Sequence, residues 1–263
     1  MIRKVKALLY QLWHYRRLIR NPITAVLFFS GRSRAPARFH FGQLLFAVRR
    51  QDWVGVDEVL MDDEYLCVLP ELESIQRPRI LDLGANIGAF AMFVLRHKPE
   101  SVIYSVEPAE DTFGILEQNC AMNPDLQWRA LRAAVWSERG SAGFSRAGSS
   151  TGNQVSSNTM TERVPTETLS GLCDNMVEGP IDLIKMDIEG AESCVIPQEE
   201  ELLKRTRAMV VEIHNDRIDE REVAQSLQRC FPYLYRLPGR KSSKPLILAV
   251  RQERVLPVYK PPH

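Results

Sequence analysis

The chain has few cysteines, and none of the five stands in a CxxC pair. Cys67, Cys120, Cys173, Cys194 and Cys230 fall at wide, irregular intervals with no histidine cluster beside them, so neither a zinc knuckle nor a disulfide framework is indicated. They read as reduced thiols of a cytoplasmic protein. Long apolar runs are also lacking: nothing approaches the roughly 20 residues that span a bilayer. The best candidate, Ile23 to Phe29, follows a basic stretch and has no small-residue cleavage site, which argues against a secretory signal. Internal repeats are absent. Negative charge is missing from one end altogether, because residues 1–51 hold eleven Lys or Arg and no Asp or Glu. The net charge of +1 therefore conceals a basic arm joined to a body with 23 basic and 33 acidic side chains.

What remains is ordinary for a globular protein. With 263 residues, 44% hydrophobic and 25% charged, the chain can bury one good core with an appendage. Ile2, Val5, Leu8, Leu9, Leu12, Leu18 and Ile19 fit one face of a helix with Lys4, Lys6, Arg16, Arg17 and Arg20 around the rest. Asn21-Pro22 ends it and opens a short second helix closed by Gly31, before a linker, GRSRAPA. Phe39 to Val48 reads as extended and Asp52 to Met61 as helical. These features give residues 1–37 as a basic helical extension, 38–78 as a strand and helix cover, 79–255 as the main domain and 256–263 as a tail.

From Arg79 onward, β-rich runs alternate with amphipathic helical runs. The strand runs are Arg79–Gly84, Val102–Glu107, Trp128–Val135, Asp182–Asp187, Ala208–His214, Tyr233–Leu237 and Pro245–Arg251. Helices are expected over Ile87–His97, Thr112–Met122, Ala191–Arg205 and Glu220–Cys230. This rhythm implies parallel βαβ units with helices on both faces of the sheet, and the hairpin-like last pair implies an antiparallel edge. Ser137 to Asn158 breaks the rhythm with Ser, Gly, Asn and Thr; it is either a floppy excursion over a site or an exposed hairpin tip.

The strongest motif is Arg79-Ile-Leu-Asp82-Leu-Gly84-Ala85-Asn86-Ile-Gly88-Ala-Phe90. A buried strand ends in a glycine turn that leads into a helix, so a ligand across the turn has close backbone approach and the positive end of the helix dipole. The dinucleotide fingerprint would be GxGxxG, but Asn86 stands where the second glycine would admit a pyrophosphate. Asp82 would repel a phosphate, whereas the ammonium and sulfonium of S-adenosylmethionine suit it. Glu107, followed by Pro108 and lying 25 residues beyond Asp82, ends the next strand, where a carboxylate can accept both ribose hydroxyls. Asp182-Leu-Ile-Lys185-Met-Asp187-Ile-Glu189-Gly190-Ala-Glu192 brings acids to a third strand end. There Asp187 is read as functional and Glu192 as a helix N-terminal acid.

ILDLGANIGAF, VEP, LIKMDIEGAE and VVEIHND together resemble the motif series of FkbM-type methyltransferases over roughly residues 56–252. The resemblance implies an α/β fold: a Rossmann-like class I methyltransferase with a seven-stranded, mostly parallel sheet and an α-helical N-terminal extension. It further implies S-adenosylmethionine as cofactor and oxygen methylation of a sugar, glycan or secondary metabolite. By the same resemblance Asp82, Gly84, Ala85, Asn86, Gly88, Glu107 and Pro108 would bind cofactor, with Asp187 and Glu189 at the reaction centre.

Methyl transfer to a hydroxyl needs alignment and a base, and the candidate bases are Asp187, Glu189 and His214. Asp187, Glu189, Glu212 and Asn215 could instead hold a divalent cation, although no required metal is expected. Two rivals remain: an NAD-dependent oxidoreductase, disfavoured by Asn86, and an RNA methyltransferase using the basic arm, disfavoured by the lack of an Asn-Pro-Pro-Tyr motif or an RNA-binding module. For the arm, packing on the acidic body or a dimer contact is preferred, with peripheral docking of residues 1–37 on an anionic, cytoplasmic membrane face as the alternative.

Overall fold

A computed structural model of the chain describes residues 6, 9–13, 15, 22–33, 35–145, 154–156, 162–238 and 244–255. Residues 9–13 are helical, and helix α1 (Pro22–Phe29) follows with proline at its first position and Ala25, Phe28 and Phe29 buried. The expected N-terminal helix is seen only in part, since most of 1–21 lies outside the described residues. The extended stretch is a hairpin of β1 (Ala37–Phe41) and β2 (Leu44–Val48), turned at Gly42 with φ 65°. Helix α2 (Trp53–Leu60) comes next. Tyr15, Phe28, Phe29 and Phe39 pack around Trp53 at ring centroid separations of 4.8 to 5.4 Å.

The main sheet begins with β3 (Arg79–Leu83), followed by helix α3 (Ala89–His97), β4 (Val102–Val106), helix α4 (Glu110–Ala121) and β5 (Gln127–Leu131). After β6 (Ala134–Val135), β7 (Gly140–Ser145), β8 (Gln154–Ser156) and β9 (Glu162–Glu167) come helix α5 (Leu169–Met176), β10 (Leu183–Met186) and β11 (Ala208–Glu212). Helix α6 (Glu220–Gln228), β12 (Tyr233–Leu237) and β13 (Leu246–Val250) complete the fold. The seven-stranded order is β12-β13-β11-β10-β3-β4-β5, and β13 runs antiparallel to both neighbours. The antiparallel strand thus lies one place in from the edge, because the chain returns after β12 into the space beside β11.

Period-two alternation assigns strand residues to two faces. Ile80, Ile103, Leu183 and Val210 join one apolar cluster with α3 and the aromatic group around Trp53. Leu81, Tyr104, Ile184 and Met209 join a second with Leu172 of α5 and Val223 and Leu227 of α6. The free edge of β2 is covered from α4: Ala47 N donates to Asn119 Oδ1 at 2.7 Å and Leu45 N to Asn123 Oδ1 at 3.0 Å, while both amide NH2 groups donate back to the same strand. These side-chain bonds stand in for a third strand and fix the 38–78 segment to the sheet layer.

Two expectations change. The helix expected over 191–205 is broken at Pro197 into Glu192–Val195 and Glu200–Leu203, with a 3-10 turn between. The Ser/Gly-rich interval forms β7 and β8, which with β9 and β6 make a small sheet of order β6-β9-β7-β8; residues 146–153 and 157–158 lie outside the described ones. Among the described residues, no helix is long and apolar enough to cross a membrane.

Candidate active site

The turn after β3 is tied down from below. Gly84 N and Ala85 N donate to Val106 O at 3.0 Å each, Asn86 N donates to Glu107 Oε2 at 3.0 Å, and Gly88 N donates to Ala85 O at 2.8 Å. With these four amides engaged, the turn has no nest of free N–H groups for a pyrophosphate. Asn86 itself is held at φ 52°, and its Oδ1 is buried without a hydrogen-bond donor. The glycines answer to the protein more than to a ligand. A Cβ on Gly84 (φ 69°) would sit 1.7 Å from Asp187 O, and one on Gly88 (φ 94°) would sit 2.4 Å from the Trp128 ring.

Asp82 is fully buried and faces protein groups. Ser105 Oγ donates to its Oδ2 at 3.2 Å, and Lys185 Nζ lies 3.4 Å from Oδ1. Lys185 also donates to Gly84 O at 2.9 Å and lies 3.7 Å from Asp187 Oδ2. Burial pushes the Asp82 carboxyl up, opposed by Lys185. Burial would lower Lys185, but Asp82, Asp187 and Glu212 outweigh it and keep the ammonium charged. Asp82, expected to meet a cationic ligand, contacts the cation of Lys185, which braces the turn and Asp187. Lys185 had no assigned role in the sequence, although a lysine inside a buried Leu-Ile-Lys-Met strand was the available signal.

Beyond β10 the chain turns sharply at Glu189 (φ 57°) and Gly190 (φ 105°). Such left-handed backbone at a non-glycine residue costs on the order of 1–3 kcal/mol and persists only where neighbours enforce it. Glu192, wholly buried, does so by accepting from Ile188 N at 3.0 Å and Gly190 N at 2.9 Å. That is the structural role expected of Glu192. Arg217 Nη1 clamps Glu189 at 2.5 Å and its carbonyl at 2.9 Å.

His214 is also wholly buried, with Nε2 3.1 Å from Glu189 Oε2 and 3.4 Å from Asp187 Oδ1, and Nδ1 3.4 Å from Glu192 Oε1. Burial opposes its protonation, but contacts with Glu189 and Glu192 and the charge of Asp187 outweigh that and push it up to about 10. These three carboxylates favour the charged form of His214, the candidate base of the strand end. Burial would raise Glu189, yet His214, Lys244 and Arg217 lower it, which makes it a weak proton acceptor.

A cavity of about 280 Å³ opens over these groups. Gly84, Ala85, Asn86, Lys185, Asp187, Glu189 and Glu212 form its floor, and Val54, Gly55, Glu58 and Val59 of α2 with Glu64 and Tyr65 form its cover. Lys244 reaches in from beside β13, 3.5 Å from Glu212 Oε1 and 3.7 Å from Glu189 Oε2. Burial and the charge of Asp187 push Glu212 up to about 8, against Lys244 and His214. Burial likewise pushes Glu107 up to about 7, opposed by the N–H groups of Ala109 and Asn86. Asp187, Glu212 and His214 bring one donor atom each within 4.8 Å of one another, a spacing able to take a cation, but Lys185 and Lys244 already balance these acids.

Of the expected residues, Gly84, Ala85, Asn86, Asp187 and Glu189 meet at the cavity. Gly88, Glu107 and Pro108 are not among the residues that line it, and Pro108 O accepts from Arg132. Glu58, Glu64, Tyr65 and Lys244 were not anticipated, because they come from parts of the chain with no motif.

The methyltransferase FkbM domain matches residues 82–237. Methyltransferase sdnD of Sordaria araneosa is 38% identical over 64 residues, covering 24% of this chain and 25% of that protein. Methyltransferase 1 of Beauveria bassiana (strain ARSEF 2860) is 27% identical over 140 residues, covering 44% of this chain and 56% of that one. The matches thus span a quarter and about half the length of these relatives. Among solved structures, the magnesium protoporphyrin IX methyltransferase of Synechocystis PCC 6803 with bound SAM superposes with a TM-score of 0.48 and 11% identity, covering 77% of this chain and 83% of that one. A precorrin-6y C5,15-methyltransferase from Geobacter metallireducens GS-15 gives 0.44 and 10%, covering 71% and 87%. The motif match over more than half its length makes this chain a member of the methyltransferase FkbM domain family, Rossmann-like proteins whose methyl donor is S-adenosylmethionine.

Proposed function

We propose that this chain methylates a hydroxyl oxygen of a small-molecule or glycan acceptor, with S-adenosylmethionine as donor. One observation carries the reading: a cavity beside the glycine turn gathers two carboxyls, Asp187 and Glu212, where a hydroxyl proton must be received. The residues fit the donor. The turn has engaged N–H groups and an orphan acceptor, Asn86 Oδ1, so it suits a cationic ligand better than an anionic one. Glu107 would accept from the ribose, and Asn86 would face the ammonium. At about 280 Å³ the cavity is at the small end of ligand clefts, which run roughly 300–1,000 Å³, and suits the reacting ends of two molecules.

S-adenosylmethionine supplies an electrophilic methyl on a positive sulfur. Asp187, steadied by Lys185 and His214, orients the acceptor hydroxyl, and Glu212, in its ionised form, takes its proton as the new oxygen–carbon bond forms and the carbon–sulfur pair goes to sulfur. Tyr65 and α2 keep water from this side.

The test supplies methyl-labelled S-adenosylmethionine with fractionated hydroxylated acceptors and measures label transfer. Glu212→Gln and Asp187→Asn should each slow transfer by about 10²–10⁴ with cofactor affinity retained by calorimetry. Parental turnover in both variants removes them from catalysis. Calorimetric binding of NAD in place of S-adenosylmethionine would end the reading.

A further inference from the structure

We propose that the face formed by residues 9–13 and the outer side of α1 docks on the surface of an anionic lipid bilayer. Leu9 and Trp13, one helical turn apart, are 59% and 63% exposed, with Tyr10 at 62% between them. Ile23 and Leu27, also one turn apart, are 71% and 41% exposed. The opposite sides of both segments are used: Leu12 and Tyr15 pack inward, as do Ala25, Phe28 and Phe29. A helix resting on a soluble body normally turns polar side chains outward, yet α1 has no charged residue and is apolar on both sides. Single exposed apolar residues are commonplace, whereas five on two neighbouring stretches mark a contact surface.

Charge selects the occupant. Lys6, Arg32 and Arg38 are exposed, and the first 51 residues contain eleven Lys or Arg and no Asp or Glu. The rest of the chain has ten more acidic than basic residues, so only this end is attracted to an anionic surface. A second copy is disfavoured by the same count, since two such arms would place like charges together. Tryptophan and tyrosine are the side chains that settle at headgroup depth. The face is anchored to the body, because Tyr15 Oη donates to Asp57 Oδ1 of α2 at 2.6 Å and its ring packs edge-on to Trp53. The adjoining side of that helix, through Val54, Gly55 and Glu58, covers the cavity.

The full chain should sediment with phosphatidylglycerol–phosphatidylcholine vesicles at least about tenfold better than with phosphatidylcholine alone, and salt should weaken the binding. Trp13→Ser with Leu27→Ser should lower that partition by about tenfold, and each of Lys6, Arg32 and Arg38 changed to Gln by up to roughly fivefold. Cofactor affinity and melting temperature should stay parental. If the double variant fails to fold, quenching of parental tryptophan emission by brominated anionic lipid decides the matter. Equal partition onto both vesicle types, no partition, or unquenched emission overturns the proposal. So does a dimer in analytical ultracentrifugation that the same substitutions dissociate.

Discussion

The floor and the cover of the cavity are built on different principles. The floor comes from three neighbouring strand ends and is set by backbone: Gly84 lies against Asp187 O, Lys185 bonds Gly84 O, and Glu192 holds two amides of the 188–190 turn. The cover is a helix seated by its inner side chains, Trp53, Val56 and Leu60, with open space around Gly55 and with Val54 63% exposed. A floor locked through main-chain contacts tolerates almost no substitution, because nothing next to it can move. A cover seated on side chains can change its inner surface without disturbing the sheet. Under the proposed function, binding of the donor would belong to the floor and the choice of acceptor to the cover.

The largest expected contrast uses two glycines of the same cavity. Gly84→Ala forces a Cβ into the Asp187 carbonyl at a left-handed φ and should cost more than about 4 kcal/mol, seen as failure to fold or a collapsed melting temperature. Gly55→Ala, in a helix with nothing within 4 Å, should gain roughly 0.5–1 kcal/mol. A mild Gly84→Ala variant would abolish the distinction between floor and cover. Two lysines repeat it on a smaller scale. Lys185→Met leaves Asp82 and Asp187 without their cation and should cost about 3 kcal/mol by denaturant titration, while Lys244→Met, at a partly exposed site, should cost less than about 1 kcal/mol.

This division also explains what the sequence disclosed. Asp82, Gly84, Gly88, Glu107, Asp187 and Glu189 were legible because strand-turn-helix chemistry leaves a local pattern of apolar runs, glycines and acids. Their roles were less legible. Gly84 and Gly88 were read as making room for a ligand, but they make room for Asp187 and Trp128, which are distant in sequence. His214 reads as a candidate base because it ends a strand run, as no other histidine does, and the three carboxylates around it are joined to it only by the fold. Tyr65 and Lys244 sit in segments with no period or motif, and Glu58 lies in a stretch read only as helical. The position of β13 was hidden for a related reason: a hairpin reads the same at the edge or one place in.

Glu107 tests whether a floor residue can serve a ligand while bracing the turn. Its two oxygens already accept from Asn86 N and Ala109 N at 3.0 Å each, with lone pairs left over. Glu107→Ala should weaken S-adenosylmethionine binding by about 1–3 kcal/mol in calorimetry through lost charge-assisted hydrogen bonds. Unchanged affinity would confine Glu107 to the floor's own support.

A last effect is a pH dependence set by buried groups in and beside the floor. Glu107 and Glu212 rise from an ordinary 4.5 to about 7 and about 8, and His214 rises from 6.5 to about 10. Each holds a proton in the folded chain at pH values where the unfolded chain has released it, so stability falls as pH rises. The contribution of the two glutamates is complete below pH 4.5 and is lost as pH passes through 7 and 8. That of His214 is complete below 6.5 and is lost as pH climbs to 10. Glu189, lowered by His214, Lys244 and Arg217 against its own burial, acts oppositely, but only below its ordinary 4.5. The ligand-free chain should therefore melt lower at pH 9 than at pH 6, by at least the 2–4 °C that roughly 1 kcal/mol represents in a chain of this size. Glu212→Gln, neutral at every pH, should flatten the part of the fall near pH 8. A melting temperature that is level or rises between pH 6 and 9 would mean that these groups titrate as they do in the unfolded chain.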